Sequence, residues 1–171
     1  MAKSKRKIKS KRGPCLAVAC FCERVIEDKN DGVLTIVRIV DQMTIVLPPG
    51  TPSDYPSEAN PHPIKFTGLL SFRTGYASGN HKATIIWQTP SGKKLPPSEH
   101  DLIFSHEPNG GSNLIVIGAL QVIDPGVYWM DVLLGGTLIA QMPLAIIVAR
   151  SEIHVDDGLS SKSQKPNQKR R

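Results

Sequence analysis

Nine short apolar runs are spaced along this 171-residue chain, with glycine, proline, asparagine, aspartate or serine between them. They fall at 15–22, 33–40, 42–47, 65–73, 82–88, 101–105, 113–122, 127–134 and 137–149, and they are rich in Ile, Val and Leu. β-Branched side chains fit a pleated, half-buried surface better than a helix. No stretch repeats an apolar i, i+3, i+4, i+7 pattern over three turns free of β-branched residues. Several runs alternate instead: in 82–88, Ala83, Ile85 and Trp87 fall on one side, Thr84 and Gln88 on the other. Turn chemistry sits where hairpins need it. Lys29-Asn30-Asp31-Gly32 joins the first two runs, Thr89-Pro90-Ser91-Gly92 follows the fifth, and Leu134-Gly135-Gly136-Thr137 joins the last two. This pattern predicts an all-β fold of two stacked sheets.

Residues 48–63 are of another kind, with six prolines (Pro48, Pro49, Pro52, Pro56, Pro61 and Pro63) in sixteen positions. Proline has no N–H to give to a ladder, so this stretch cannot feed a central strand. We read it as an irregular crossing from one sheet to the other, in preference to a polyproline recognition segment.

Asp124-Pro125-Gly126-Val127-Tyr128 has the form D-x-G-x-Y and stands directly ahead of an apolar run. It resembles the tyrosine corner of immunoglobulin-like sandwiches, in which a phenol at the start of the penultimate strand hydrogen-bonds to backbone a few residues upstream. Trp87, forty-one residues earlier, resembles the tryptophan of the central strand in such domains. The resemblance covers about residues 65–150 and implies structural roles for Trp87, Asp124, Gly126 and Tyr128. It departs at Met130, which stands where the second disulfide cysteine would be. The sandwich is therefore expected to hold together by packing alone. The layout also resembles an uncharacterised family of small bacterial immunoglobulin-like proteins, through Cys22-Glu23-Arg24-Val25-Ile26, Ile39-Val40-Asp41 and Gly126-Val127-Tyr128-Trp129. That likeness implies a fold and a bacterial origin, and no activity.

Charge is sharply segregated. Residues 3–12 hold seven basic side chains and no acid, and residues 162–171 hold five more and no acid, while 13–161 carry nine basic against fifteen acidic residues. The expected organisation is a basic arm at 1–13, a sandwich at 14–151 and a basic tail at 152–171, with both termini disordered. Net charge speaks to partners and association, not to fold. The arm residues Lys3, Lys5, Arg6, Lys7, Lys9, Lys11 and Arg12, with Lys169, Arg170 and Arg171, are candidates for salt-sensitive contact with nucleic acid or another polyanion. They come without aromatic residues to stack on bases. An anionic membrane surface would be met through charge alone. No apolar run approaches the ~20 residues of a spanning helix.

The three cysteines, Cys15, Cys20 and Cys22, are odd in number and crowded into eight positions. They do not form a disulfide framework, and a reducing, cytoplasmic setting fits them. The basic stretch before Cys15-Leu16-Ala17-Val18-Ala19-Cys20 imitates an export signal, but the apolar part is about five residues against the ~7–15 required. Cys20 and Cys22, two apart, share one strand face, with Cys15 on the opposite parity. We expect buried apolar roles in preference to metal binding.

Glu99-His100-Asp101 with His106-Glu107 is the densest titratable group. An extended segment would point His100 and His106 to one side, where they are weak candidates for a divalent ion. Pro96, Pro97 and Pro108 bracket them and favour a solvated loop–strand–loop. His62, His81 and His154 stand alone. There is no G-x-S-x-G, and Gly92-Lys93 lacks the remainder of a phosphate loop. The expectation is a non-enzymatic binding or accessory module with no cofactor and a protein partner. A nucleic-acid-associated protein acting through its basic termini is the alternative, and a metal-dependent enzyme built on His100 and His106 the weaker one.

Overall fold

Alternation along each run decides which side chains enter the core and which face water. In the computed structural model, which describes residues 13–105 and 110–151, the chain forms nine strands and, among those residues, no helix. They are β1 (Cys15–Glu27), β2 (Leu34–Ile39), β3 (Gln42–Leu47), β4 (His62–Arg73), β5 (Gly79–Gln88), β6 (Ser98–Phe104), β7 (Gly111–Val122), β8 (Gly126–Leu134) and β9 (Thr137–Arg150). Every predicted run is a strand. Most extend a few residues past the apolar run, because backbone pairing does not require an apolar side chain. Thus β1 runs on through Glu23, Arg24 and Glu27, while β2 stops one residue short at each end.

One sheet has the order β2-β1-β4-β7 and the other β3-β9-β8-β5-β6. Strands β1, β4 and β7 take the places of A, B and E of an immunoglobulin-type sandwich, and β5, β8 and β9 those of C, F and G. The expected immunoglobulin-like two-sheet arrangement holds. Two features go beyond it. The first hairpin adds β2 outside β1, and β3 pairs parallel with β9 from Gln42↔Ala145 to Leu47↔Arg150.

The turns explain the hairpins. Gly135 and Gly136 both have positive φ, 54° and 80°, the pair of conformations that closes a two-residue loop with the right twist between Leu134 and Thr137. Two prolines inside strands avoid the ladder by position. Pro63 in β4 precedes the β1 pairing, which reaches only Thr67, and Pro143 in β9 precedes the β3 pairing, which begins at Ala145. Each is locally an edge residue.

Residues 48–63 do cross between the sheets, joining β3 of one to β4 of the other. The crossing is pinned from the far end of the chain. The Arg150 guanidinium donates to the carbonyls of Thr51 (3.0 Å), Pro52 (3.1 Å), Ser53 (3.0 Å) and Tyr55 (3.3 Å). His62 is tied into the same segment, its Nδ1 lying 2.6 Å from the Tyr55 hydroxyl.

The core lies between the sheets. Trp87 stacks on Phe21 (centroids 5.5 Å apart, planes at 20°) and meets Phe66 edge-on (5.0 Å, 71°). Around these rings pack Ile85, Leu70, Leu120, Met130 and Leu144. Ala83, Ile85 and Trp87 all point inward, as the alternation of their run requires.

One expectation fails. The register of β1 against β4 shifts between Leu16 and Val18, so that Cys15 faces Arg73, Cys20 faces Leu69 and Cys22 faces Thr67. The bulge inserts one residue and resets parity. Cys15 therefore lies on the same outer face as Cys20 and Cys22, not opposite them. At about 3.3 Å per residue it is still some 13 Å along the strand from Cys20.

Candidate functional site

The tyrosine corner sets the entry to β8. Tyr128 is fully buried, and its hydroxyl accepts from the backbone N–H of Ile123 (3.0 Å) and Asp124 (3.3 Å) and donates to the Asp124 carbonyl (3.1 Å). Gly126 has φ 137°, and a Cβ there would lie 2.9 Å from Pro90, so no side chain fits. Asp124 and Pro125 border a cleft of about 370 Å³ together with Tyr55, Pro56 and Arg150. The corner and the proline-rich crossing thus meet at one end of the sandwich. Trp87 is buried in the core, opposite Met130 in the β5–β8 ladder.

With that end fixed, the alternation of β8 and β9 presents a defined outer face. Trp129 pairs with Pro143 and Val127 with Ala145, while Ile147 stands opposite Thr44 of β3. Trp129 (40 % exposed), Val127 (42 %), Ile147 (43 %) and Val46 (66 %) make an apolar surface over β3, β9 and β8. Beside it sits Asp131, buried although on this outer side, its carboxylate accepting from the side-chain amides of Gln88 and Gln141 (2.9 Å for the latter). Gln141 lies directly across from Asp131 in the ladder, whereas Gln88 lies across from Trp129. The three side chains form an amide–carboxyl–amide bracket at the rim of the apolar patch. Toward β6 the face becomes charged, with Lys82 Nζ 2.7 Å from Glu99 Oε2. That contact raises the Lys82 ammonium and lowers the Glu99 carboxyl, mainly through the hydrogen bond itself. Alternation along β8 puts Trp129 and Asp131 on one side, but nothing in the sequence marked that side as special, because Gln88 and Gln141 reach it by register alone.

The other candidates separate. His100 lies in β6, half-buried, with Nε2 3.2 Å from Ser98 Oγ. His106 lies outside the described residues, as do Glu107 and His154. Among the described residues, no three His, Cys, Asp or Glu side chains converge as metal ligands would. His81 Nε2 lies 3.2 Å from the Ser78 carbonyl, and its ring packs on Phe104. The arm candidates Lys3, Lys5, Arg6, Lys7, Lys9, Lys11, Arg12, Lys169, Arg170 and Arg171 all lie outside the described residues. Of the thiols, Cys15 is exposed, Cys20 half-buried and Cys22 buried, and none is in a disulfide. Burial pushes the Cys20 and Cys22 thiols up from their ordinary value, Cys22 with a smaller contribution from Cys20. No described helix is long and apolar enough to cross a membrane.

No curated protein matches this sequence. Among solved structures, an immunoglobulin-like protein from Pseudomonas aeruginosa is similar at 11 % identity and a TM-score of 0.38, over 80 % of this chain and 98 % of that one. The alkylpurine DNA glycosylase AlkC of Pseudomonas fluorescens, bound to DNA containing an abasic site analog, is similar at 9 % identity and a TM-score of 0.35. That likeness covers 60 % of this chain and 27 % of the glycosylase chain. The model of the family of unknown function DUF6941 matches residues 17–147, and the chain belongs to that family.

Proposed function

We propose that this protein is a non-catalytic binding module whose protein partner docks on the outer face of the five-stranded sheet. The observation that carries the reading is Trp129, on a strand paired on both sides and 40 % exposed among Val127, Ile147 and Val46. Apolar surface of this kind marks docking sites, and tryptophan is the residue most often found at the energetic centre of an interface. Asp131 with its two glutamines gives the rim a fixed set of polar groups, the usual complement to an apolar centre.

The test uses the full chain as bait, in wild-type form and as Trp129→Glu. A partner recovered by the wild type, and lost with Trp129→Glu while the variant keeps its far-UV spectrum and melting temperature, supports this docking face. A partner held equally by both forms refutes it.

The charge segregation favours a second reading, in which the arms hold nucleic acid without sequence preference. Binding to a generic DNA duplex that weakens steeply with salt, and disappears on removal of residues 1–12 and 162–171, distinguishes it. In that reading Trp129→Glu has no effect.

A further inference from the structure

We propose that β7 pairs antiparallel with β7 of a second copy of this chain, about a two-fold axis beside Ile117. The sandwich has four sheet edges, and three are blunted. β2 is six residues long and carries Arg38 at φ 48°. β3 is also six residues and ends against Pro48-Pro49. β6 is seven residues, with Glu99 and Asp101 along it and Pro96-Pro97 ahead of it. Short length, charge, proline and twisted backbone are the devices that keep edges from pairing.

β7 has none of them. It is twelve residues long, Gly-Ser-Asn-Leu-Ile-Val-Ile-Gly-Ala-Leu-Gln-Val, without a charge or a proline. Its register with β4 is unbroken from Arg73↔Gly111 to His62↔Val122, so no bulge turns it aside. Among the described residues its other side has no partner strand. This is the place where a constant-type immunoglobulin sheet, ordered A-B-E-D, has its outer strand. About half of the β7 backbone N–H and C=O groups point at that open side.

The sequence of β7 suits its own copy. A two-fold axis perpendicular to the sheet keeps outer face beside outer face, so residues of equal parity meet. Centred on Ile117, it sets Ile115 across from Ala119 and Asn113 across from Gln121. Apolar then meets apolar and amide meets amide, and no like charges oppose one another. Ile117, 78 % exposed in the single chain, is covered by its own symmetry mate. A cleft of about 360 Å³ runs along the same edge, bordered by Phe66, Trp87 and Leu95, so apolar surface is also available on the inner side. The four-stranded sheet becomes a continuous eight-stranded one.

The experiment is sedimentation of the full chain over a range of micromolar concentrations. The mass is expected to rise from the 18.6 kDa of one chain toward twice that value. Ile117→Lys places two like charges against each other on the axis and should weaken the dimer about tenfold or more. Ile103→Lys, at a comparably exposed isoleucine on β6, should leave it unchanged. Because the Ile117 side chain is exposed, melting of dilute Ile117→Lys reports on the monomer's fold separately from association. In a Cys15→Ser background, Ile117→Cys should be joined to its mate by a short thiol–thiol crosslinker in high yield, and Ile103→Cys should not. A wild type that stays at 18.6 kDa throughout overturns the proposal and leaves the edge to an extended peptide from another protein. A dimer that tolerates Ile117→Lys, or that Ile117→Cys fails to crosslink, overturns it equally.

Discussion

Met130 of β8 reaches across the sandwich to Gly68 of β4: a methyl group on Gly68 would lie 3.7 Å from Met130 Cε and 3.8 Å from the Phe21 ring. β4 and β8 hold the positions of strands B and F, which antibody domains join by a disulfide packed on the central tryptophan. Here a flexible thioether fills that space, and Trp87 stands directly opposite Met130 in the ladder. Cohesion at the centre of the fold comes from shape alone.

Truncating that thioether should therefore be costly. Met130 is fully buried, and Met130→Ala should lower the unfolding free energy by about 2–5 kcal/mol, the transfer loss plus the cavity left behind. Gly68→Ala should change stability by less than about 1 kcal/mol, since its methyl makes ordinary contact with Met130 and strains nothing. Urea unfolding with and without reductant checks both variants, and reductant should leave the wild-type midpoint in place.

The Tyr128 hydroxyl serves three backbone groups at once, two N–H donors and one carbonyl. Tyr128→Phe strands the buried Ile123 N–H, and a stranded buried donor costs about 1–3 kcal/mol. Chemical denaturation should show a loss in that range with an unchanged m-value. A loss below about 0.5 kcal/mol, the range of ordinary surface changes, would mean that the corner contributes nothing to stability.

Arg150 holds four carbonyls of the proline-rich crossing from a single guanidinium. Lysine brings a point charge without the planar fork, so it cannot replace this geometry. Arg150→Lys and Arg150→Ala should both speed proteolysis within residues 48–63 while leaving the core transition nearly unchanged. Limited digestion with mass mapping reads this directly. Equal protection of wild type and variants would show that the segment orders itself without Arg150.

Much of this architecture was legible because local chemistry and the final structure agree. Gly135-Gly136 named its own turn, and the Ala83–Ile85–Trp87 alternation named its own inward side. What stayed hidden depends on partners far away in sequence. The parallel β3–β9 pair leaves no local mark, since Gln42–Leu47 would read the same beside an antiparallel neighbour. The bulge at Leu16–Val18 is an accommodation to β4, and it alone decides on which face Cys15 falls. The buried Asp131 is the clearest case. Its identity argues for exposure, and only the glutamines arriving from β5 and β9 make its burial tolerable. The candidate docking face was therefore illegible, while the corner that holds one end of it was plain.

The exposure order of Cys15, Cys20 and Cys22 predicts the same order of alkylation, with Cys22 labelled only as the protein opens. Burial raises the Cys20 and Cys22 thiols in the folded chain above their unfolded value. A raised folded value favours the protonated form, so this stabilisation is fully present below the unfolded thiol range, at about pH 8.5. It is lost as pH climbs from there through the folded value, because the unfolded chain ionises first. Urea midpoints should accordingly fall on the alkaline side, and Cys22→Ala should flatten that fall while shifting the neutral-pH midpoint only by its packing loss. Cys20→Ser should also flatten it, since it removes the raised Cys20 thiol together with the charge that raises Cys22. An alkaline slope identical in wild type and Cys22→Ala would show that the Cys22 thiol titrates alike in the folded and unfolded chain.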